Sequence, residues 1–401
     1  MKKNNIKQSN LYLILITAGA FFAFFVFGFT DNLKGPVIPE MLTFLNLSYS
    51  DGSNILLLSY LGFMVATLIA GPLADKLGNR AVMIIAGVIL AAGVGGTGFA
   101  GTATILYFTF FLLGFGLGTI EIAANGIIME NYPERSGFFL NILAFFHGAG
   151  SMLAPLFAGK MIADGAQWNS IYKLVFILPV ILAISFTIAR LSKGKINGPV
   201  SSDAVRQKSG FIKIFNKELF IFSILMVSYV AAEIGIASWI VEFLQKEKGL
   251  SVVRSSLYLS LYFGFMTGGR LLGSAFVDRI GHIKILRIAS ISSVFILIAG
   301  IFSHPSLSII LPFTGFFFSI IFPTITASAA ERHSENRGTV FGILFFFAGV
   351  GGMIGPWLVG TVADLTGMKW AMTVTVFFCV LMSLMLFFIS SEKKKNVKSS
   401  L

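Results

Sequence analysis

Long apolar runs separated by short polar breaks account for nearly the whole chain. Twelve runs of about 20 residues or more can be marked, at 11–33, 52–73, 81–101, 103–129, 137–161, 170–190, 219–244, 252–276, 284–303, 306–328, 339–363 and 370–390. At a rise of about 1.5 Å per residue, each can cross a hydrocarbon layer about 30 Å thick as one helix. An even number of crossings leaves both chain ends on the same side. The longest polar connection, 191–217, is rich in Lys, Ser, Gly and Asn and falls at mid-chain. It predicts a six-helix bundle over 1–192, a central loop over 193–217 and a second six-helix bundle over 218–401. The fold class is therefore an all-α membrane protein with two pseudo-symmetric halves.

The halves are also repeats of each other. A shift of 201 residues lays FFHGAGSMLAPLFAG (145–159) on FFAGVGGMIGPWLVG (346–360), pairing Gly148 with Gly349, Gly150 with Gly351, Pro155 with Pro356 and Gly159 with Gly360. Shifts of 202 and 203 lay YLGFM (60–64) on YFGFM (262–266) and ADKLG (74–78) on VDRIG (277–281). Duplicated halves around a mid-depth site are a recurring plan among membrane carriers, and paired Gly and Pro suit helices that bend and pack closely.

Composition agrees: 56% of the 401 residues are hydrophobic and 12% charged, against about a quarter charged in soluble domains. The net charge of +12 does not point to nucleic acid, because the basic residues sit in short loops between apolar runs. Of 30 Lys and Arg, 22 fall on the side of the chain ends; Lys34, Lys160, Lys173, Lys246, Lys248, Arg254 and Lys369 fall on the other, and Arg270 lies within a run. That bias makes both termini cytoplasmic and the protein a multi-pass resident of the plasma membrane. The single Cys379 lies inside the last apolar run, which leaves no disulfide framework and no thiolate metal site. No cleavable leader is expected, since Met1 to Asn10 is polar and the run behind it is too long. Gly93, Gly95 and Gly98 spell GxGxxG inside an apolar run with no strand before it, which suits helix packing rather than a dinucleotide. With no Walker A, HExxH or Gly-x-Ser-x-Gly sequence, neither an enzyme nor a cofactor is expected, and the partners are the lipid bilayer and a small solute.

Polar side chains inside such runs are the candidate chemistry, because they are costly there unless they face a wet cavity or a partner. The stretch 114–159 holds four. Glu121 and Asn125 share one helix face, and Asn141 and His147 lie on the next helix. The depths of Glu121 and His147, on the order of 12 to 17 Å from the cytoplasmic face, put both near mid-membrane. A buried carboxyl can hold a proton in one conformation and release it when a cavity opens, so Glu121 is the first candidate for proton coupling; a structural bond to a neighbouring helix is the alternative. Asn125 and Asn141 can bond a polar solute or join helices, and His147 can bind a hydroxyl or relay a proton. Asp31 and Glu233 are related by the 202-residue shift and are expected across the cavity from each other. Trp239 can stack on a sugar ring or belong to an interfacial aromatic belt. Arg270 is expected to face a carboxylate or the cytoplasmic vestibule.

GPLADKLGNR (71–80) resembles the loop 2–3 signature of the major facilitator superfamily, and VDRIGH (277–282) resembles its weaker second-half echo. Within it, GTIEIAAN (118–125) with LNILAFFHGAG (140–150), SIIFPTI (319–325) and SYVAAEIGIASWI (228–240) resemble the fucose/glucose permease branch. The resemblance implies a secondary active transporter working by alternating access, in this branch a sugar:proton symporter. It implies a proton-linked or substrate-binding role at Glu121 and points to Asp31 as the branch's first-helix carboxylate, which makes these two the proton-coupling candidates; Asn125, His147, Asn141, Glu233 and Trp239 are the substrate-binding candidates by their own chemistry and placement. Gly71, Asp75, Lys76 and Arg80, with Asp278, Arg279 and Gly281, become a gating latch that closes the cytoplasmic side and breaks in the inward state. The expected function is proton-coupled uptake of a neutral hexose-type sugar by a monomer. A drug/proton antiporter, favoured by the many Phe residues, and a non-transporting sensor on the same scaffold stay open as alternatives.

Overall fold

The computed structural model describes residues 2–192, 216–333 and 337–389, and these are helical almost throughout. The first half contains α1 (Lys2–Asn32), α2 (Lys34–Leu45), α3 (Tyr49–Leu77), α4 (Asn79–Gly98), α5 (Ala103–Asn131), α6 (Ser136–Ala163), α7 (Trp168–Val175) and α8 (Ile177–Ser192). The second contains α9 (Lys217–Lys246), α10 (Val252–Ile280), α11 (His282–Phe302), a 3-10 stretch Pro305–Phe313, α12 (Thr314–Phe318), α13 (Ile321–Arg332), α14 (Arg337–Thr366), α15 (Met368–Ala371) and α16 (Thr373–Phe387). Among the described residues, 11 segments are long and apolar enough to cross a membrane, with α1 and α2 joined as one. The 29 residues of α10 supply a twelfth by length. The central loop, but for Asn216 and Lys217, lies outside the described residues.

Helix starts and stops follow the repeat. Ser48 and Ser251, 203 residues apart, cap α3 and α10 by accepting from the backbone N–H three residues on. Gly78 and Gly281, again 203 apart, end those helices at φ of 82° and 89°, a left-handed conformation that glycine alone adopts freely. The first apolar run, expected to stop at residue 33, instead continues after a break at Leu33 through α2. Gly35, Pro36 and Pro39 mask this helix in the sequence, but Val37, Ile38, Met41 and Leu42 bury its apolar face.

Each half has its own core. Phe110, Leu117, Ile120 and Ile127 lie at the centre of the first, and Tyr229, Trp239, Tyr262 and Phe318 at the centre of the second. Ile38, Leu42 and Leu56 of the first half pack into the second half's core. The halves are thus joined at the end of the molecule remote from the chain termini, here called the far side; the opposite end is the terminal side.

Candidate functional site

Two helix crossings hold the halves together, and the paired glycines sit at them. A side chain at Gly148 or Gly159 of α6 would run into Thr267 or Ser256 of α10. Its counterpart at Gly349 or Gly360 of α14 would meet Met64 or Ser53 of α3. Between these crossings lies a cavity of about 180 Å³ lined by Phe27 and Asp31 of α1, Ser59, Tyr60 and Phe63 of α3, Gly114 and Leu117 of α5, His147 of α6 and Ile234 of α9. Five helices from both halves meet there. The His147 ring stands edge-on to Phe27, with centroids 4.7 Å apart.

Asp31 is held by an ion pair. Its Oδ1 is 2.6 Å from Nζ of Lys34, whose side chain is only 4% exposed. The same ammonium lies 4.5 Å from the centroid of the Tyr60 ring and 3.5 Å from its hydroxyl. Lys34 is therefore not a loop residue on the outer face, as the charge count places it, but a buried counter-ion at the α1–α2 break. Removing one partner of such a pair leaves a charge stranded, at a cost of about 3–5 kcal/mol. Glu233 lies on the second-half side, and Tyr60 is in the electrostatic field of both Asp31 and Glu233. Arg270 acts on Glu233 and on the buried Tyr229, and its charge also reaches His147.

Glu121 and Asn125 form a unit of their own: the Asn125 amide donates to Oε1 of Glu121 at 3.0 Å and to its backbone carbonyl at 2.8 Å. They do not line the cavity that holds His147. The cause is α1, which packs against both α5 and α6 while those two helices make little contact with each other. Asn141 is exposed, on the terminal-side half of α6. Trp239 is fully buried, and its Nε1–H donates to the Pro356 carbonyl at 2.9 Å. Its ring packs 5.7 Å from that of Tyr49, away from the cavity lining.

The far side is sealed by polar contacts that the sequence does not reveal. Backbone N–H groups of Tyr49 and Ser50, at the start of α3, donate to the Asp364 carboxylate of α14 at 3.0 and 2.8 Å. The Tyr49 hydroxyl donates to Oε1 of Glu242 at 2.7 Å, Ser53 to the Pro356 carbonyl at 3.2 Å, and Trp357 Nε1 to Asn54 at 3.3 Å. The hydrogen bonds that join the halves among the described residues lie in this region, with Ser260 to the Met152 carbonyl at 2.6 Å the deepest. Such contacts join positions 108 to 315 residues apart, which no local pattern encodes. Lys34, by contrast, stands one turn from Asp31, and Tyr60 opens the repeated YLGFM stretch.

The terminal side is splayed. Asp75, Lys76 and Arg279 are exposed, and none forms an ion pair across the halves among the described residues. Arg80 lies over the ring of Tyr12 at 5.2 Å, within its own half. A side chain added at Gly71, Gly268, Gly281, Gly338 or Gly342 would meet nothing within 4 Å. The side chain of Asp278 lies outside those described. Among the described residues the latch is therefore unmade in this conformation, with the central cavity closed towards the far side.

The Major Facilitator Superfamily matches residues 20–332 and 290–400. The chain is 27% identical over 368 residues to a glucose/galactose transporter of Brucella abortus (strain 9-941), covering 87% of each chain. It is 24% identical over 380 residues to the L-fucose-proton symporter of Escherichia coli (strain K12), covering 86% of each. The crystal structure of the nucleoside transporter NupG shares the fold with a TM-score of 0.72 at 14% identity, over 94% of this chain and 98% of that one. With long apolar helices in two repeated halves and a cavity between them, the chain belongs to the major facilitator superfamily and is a multi-pass membrane transporter.

Proposed function

We propose that the protein is a proton-coupled importer of a neutral hexose-type sugar, working by alternating access in the plasma membrane. The observation that carries this reading is the cavity between the halves. It offers Asp31, Ser59, Tyr60 and His147 to hydroxyl groups and the rings of Phe27 and Phe63 to an apolar sugar face. At about 180 Å³ it is smaller than the roughly 300–1,000 Å³ pockets of drug-sized ligands, which weighs against an antiporter of bulky drugs. Relatives named as a glucose/galactose transporter and an L-fucose-proton symporter support the sugar and the proton.

In this reading both termini are cytoplasmic and the splayed terminal side faces the cytoplasm. The two halves rock about the cavity as bodies, and Asp75, Lys76, Arg80 and Arg279 meet when that side closes. Glu121 takes and gives the coupling proton. Among the described residues it has only the Asn125 amide as a side-chain partner, so a proton can come and go without breaking an ion pair. Glu233, next to the lining residue Ile234, and Arg270, which acts on it, supply the second half's charged groups, and one chain suffices for the site.

Purified protein in liposomes should exchange labelled hexoses in counterflow and should not export cationic dyes. Glu121→Gln should lose uphill accumulation under a proton gradient while retaining counterflow. Normal accumulation by that variant would remove Glu121 from the coupling role, and dye efflux without hexose exchange would overturn the substrate reading.

A further inference from the structure

Lys34 is a buried ammonium in a membrane span, and such a group has to be matched. It is placed by the break at Leu33, where α1 ends and α2 restarts with Lys34 as its first residue. The buried face of α2 fixes the backbone there, and the side chain lies back over Asp31 and Tyr60. A carboxylate only accepts hydrogen bonds, through two oxygens. Lys34 holds Oδ1 of Asp31, whose side chain is still 16% exposed and lines the central cavity. Among the described residues no protein donor reaches Oδ2, which leaves that oxygen for a ligand.

Resting on the sugar-transport reading above, we propose that Lys34 is a positioning residue of the central site. It clamps one oxygen of Asp31 so that the other stays turned to the cavity as a fixed acceptor for one hydroxyl of a neutral polyhydroxylated substrate. Asp31 then belongs with the binding groups rather than with proton transfer, because taking a proton would break its ion pair. The surroundings of Asp31 fit an acceptor role. Tyr60 of α3, His147 of α6 and Tyr172 of α7 share its field, Glu233 of α9 and Arg270 of α10 act on Tyr60 and His147 respectively, and Lys34 alone forms an ion pair with Asp31 among the described residues.

A site built to bond a hydroxyl discriminates strongly against the analogue that lacks it. The test uses the full-length protein in liposomes with hexose and a set of its monodeoxy analogues. One deoxy position should be rejected by the wild type, and Lys34→Met should lose that selectivity. In that variant the KM for the parent sugar should rise about 10- to 100-fold while Vmax stays within about threefold. Lys34→Arg should restore both. The double variant Asp31→Asn/Lys34→Met removes the stranded charge, so it should fold well yet keep the high KM. A purely structural ion pair would instead lower the amount of folded carrier, with KM and selectivity unchanged in what remains.

A ligand-free arm separates failure of this inference from failure of the sugar reading. With 13C-labelled aspartate, the infrared carboxylate band that disappears in Asp31→Asn should shift in Lys34→Met and stay in place in Lys34→Arg. An unmoved band overturns the clamp whatever the substrate is, and so does an unchanged deoxy selectivity. Absence of hexose exchange by the wild type overturns the sugar reading, and the infrared band then decides the clamp alone.

Discussion

Tyr49 and Glu242 meet across the halves with the carboxylate 3% exposed, so their bond is made with little competition from water. Hydrogen bonds to charged groups are worth about 1.5–3 kcal/mol, and here that energy favours one conformation over the other. Tyr49→Phe should therefore shift the balance towards far-side opening by roughly 10- to 100-fold. The shift can be read as faster labelling, by an impermeant thiol reagent, of a cysteine placed at Ser59 in the cavity wall. The background is clean because the only native cysteine, Cys379, is buried. Individual residues are unevenly legible. Asp31, His147 and Glu233 stand out as polar groups in apolar runs; Asp31 and His147 line one cavity, and Glu233 precedes its lining residue Ile234. Lys34 reads as a loop cation because glycine and prolines follow it and loops on that side are due a few cations. Glu242 and Asp364 sit near helix ends, where an acid is ordinary, and only the cross-half pairing gives them meaning.

Among the elements, α11 and α16 depend on basic side chains for their carboxyl ends. Lys248, outside the spans, donates to the carbonyls of Ile301 and Ser303 at 2.9 and 2.5 Å, satisfying groups that a helix end leaves open. Arg287 does the same for Leu386 and Ile389, at 2.9 and 3.0 Å. Lys248→Met should lower stability by about 1.5–3 kcal/mol, seen as an earlier melting transition in detergent. Burial and the nearby Lys369 ammonium hold Lys248 below the ordinary lysine range. An unfolded chain therefore binds more protons as pH approaches 10.5, and the wild type should gain stability there relative to the variant. The long helices are readable from hydrophobic run length, and the turns at Gly78 and Gly281 from their repeated sequence. What is not readable is α2, because its helical character comes from the core it packs into rather than from its composition.

At the scale of the whole molecule, one door is shut and the other open. Ser50 and Asp364 sit in hydrogen-bond contact across the shut side, so cysteines at both positions should form a disulfide there. That cross-link should abolish counterflow, and a reductant should restore it. The reverse change is a side chain where the crossing helices need none: Gly360→Val should hinder far-side closure, and Gly159→Val should do the same at the twin crossing. The two crossings are copies related by an axis along the membrane normal, so both halves tilt on matching bearings, while the gradients across the membrane set the sense of net travel. The copies do not share everything. Moving 202 positions on from Glu121 lands on Pro323, so one half has an acid where its twin has an inert ring. Matched hinges thus carry a chemically lopsided load.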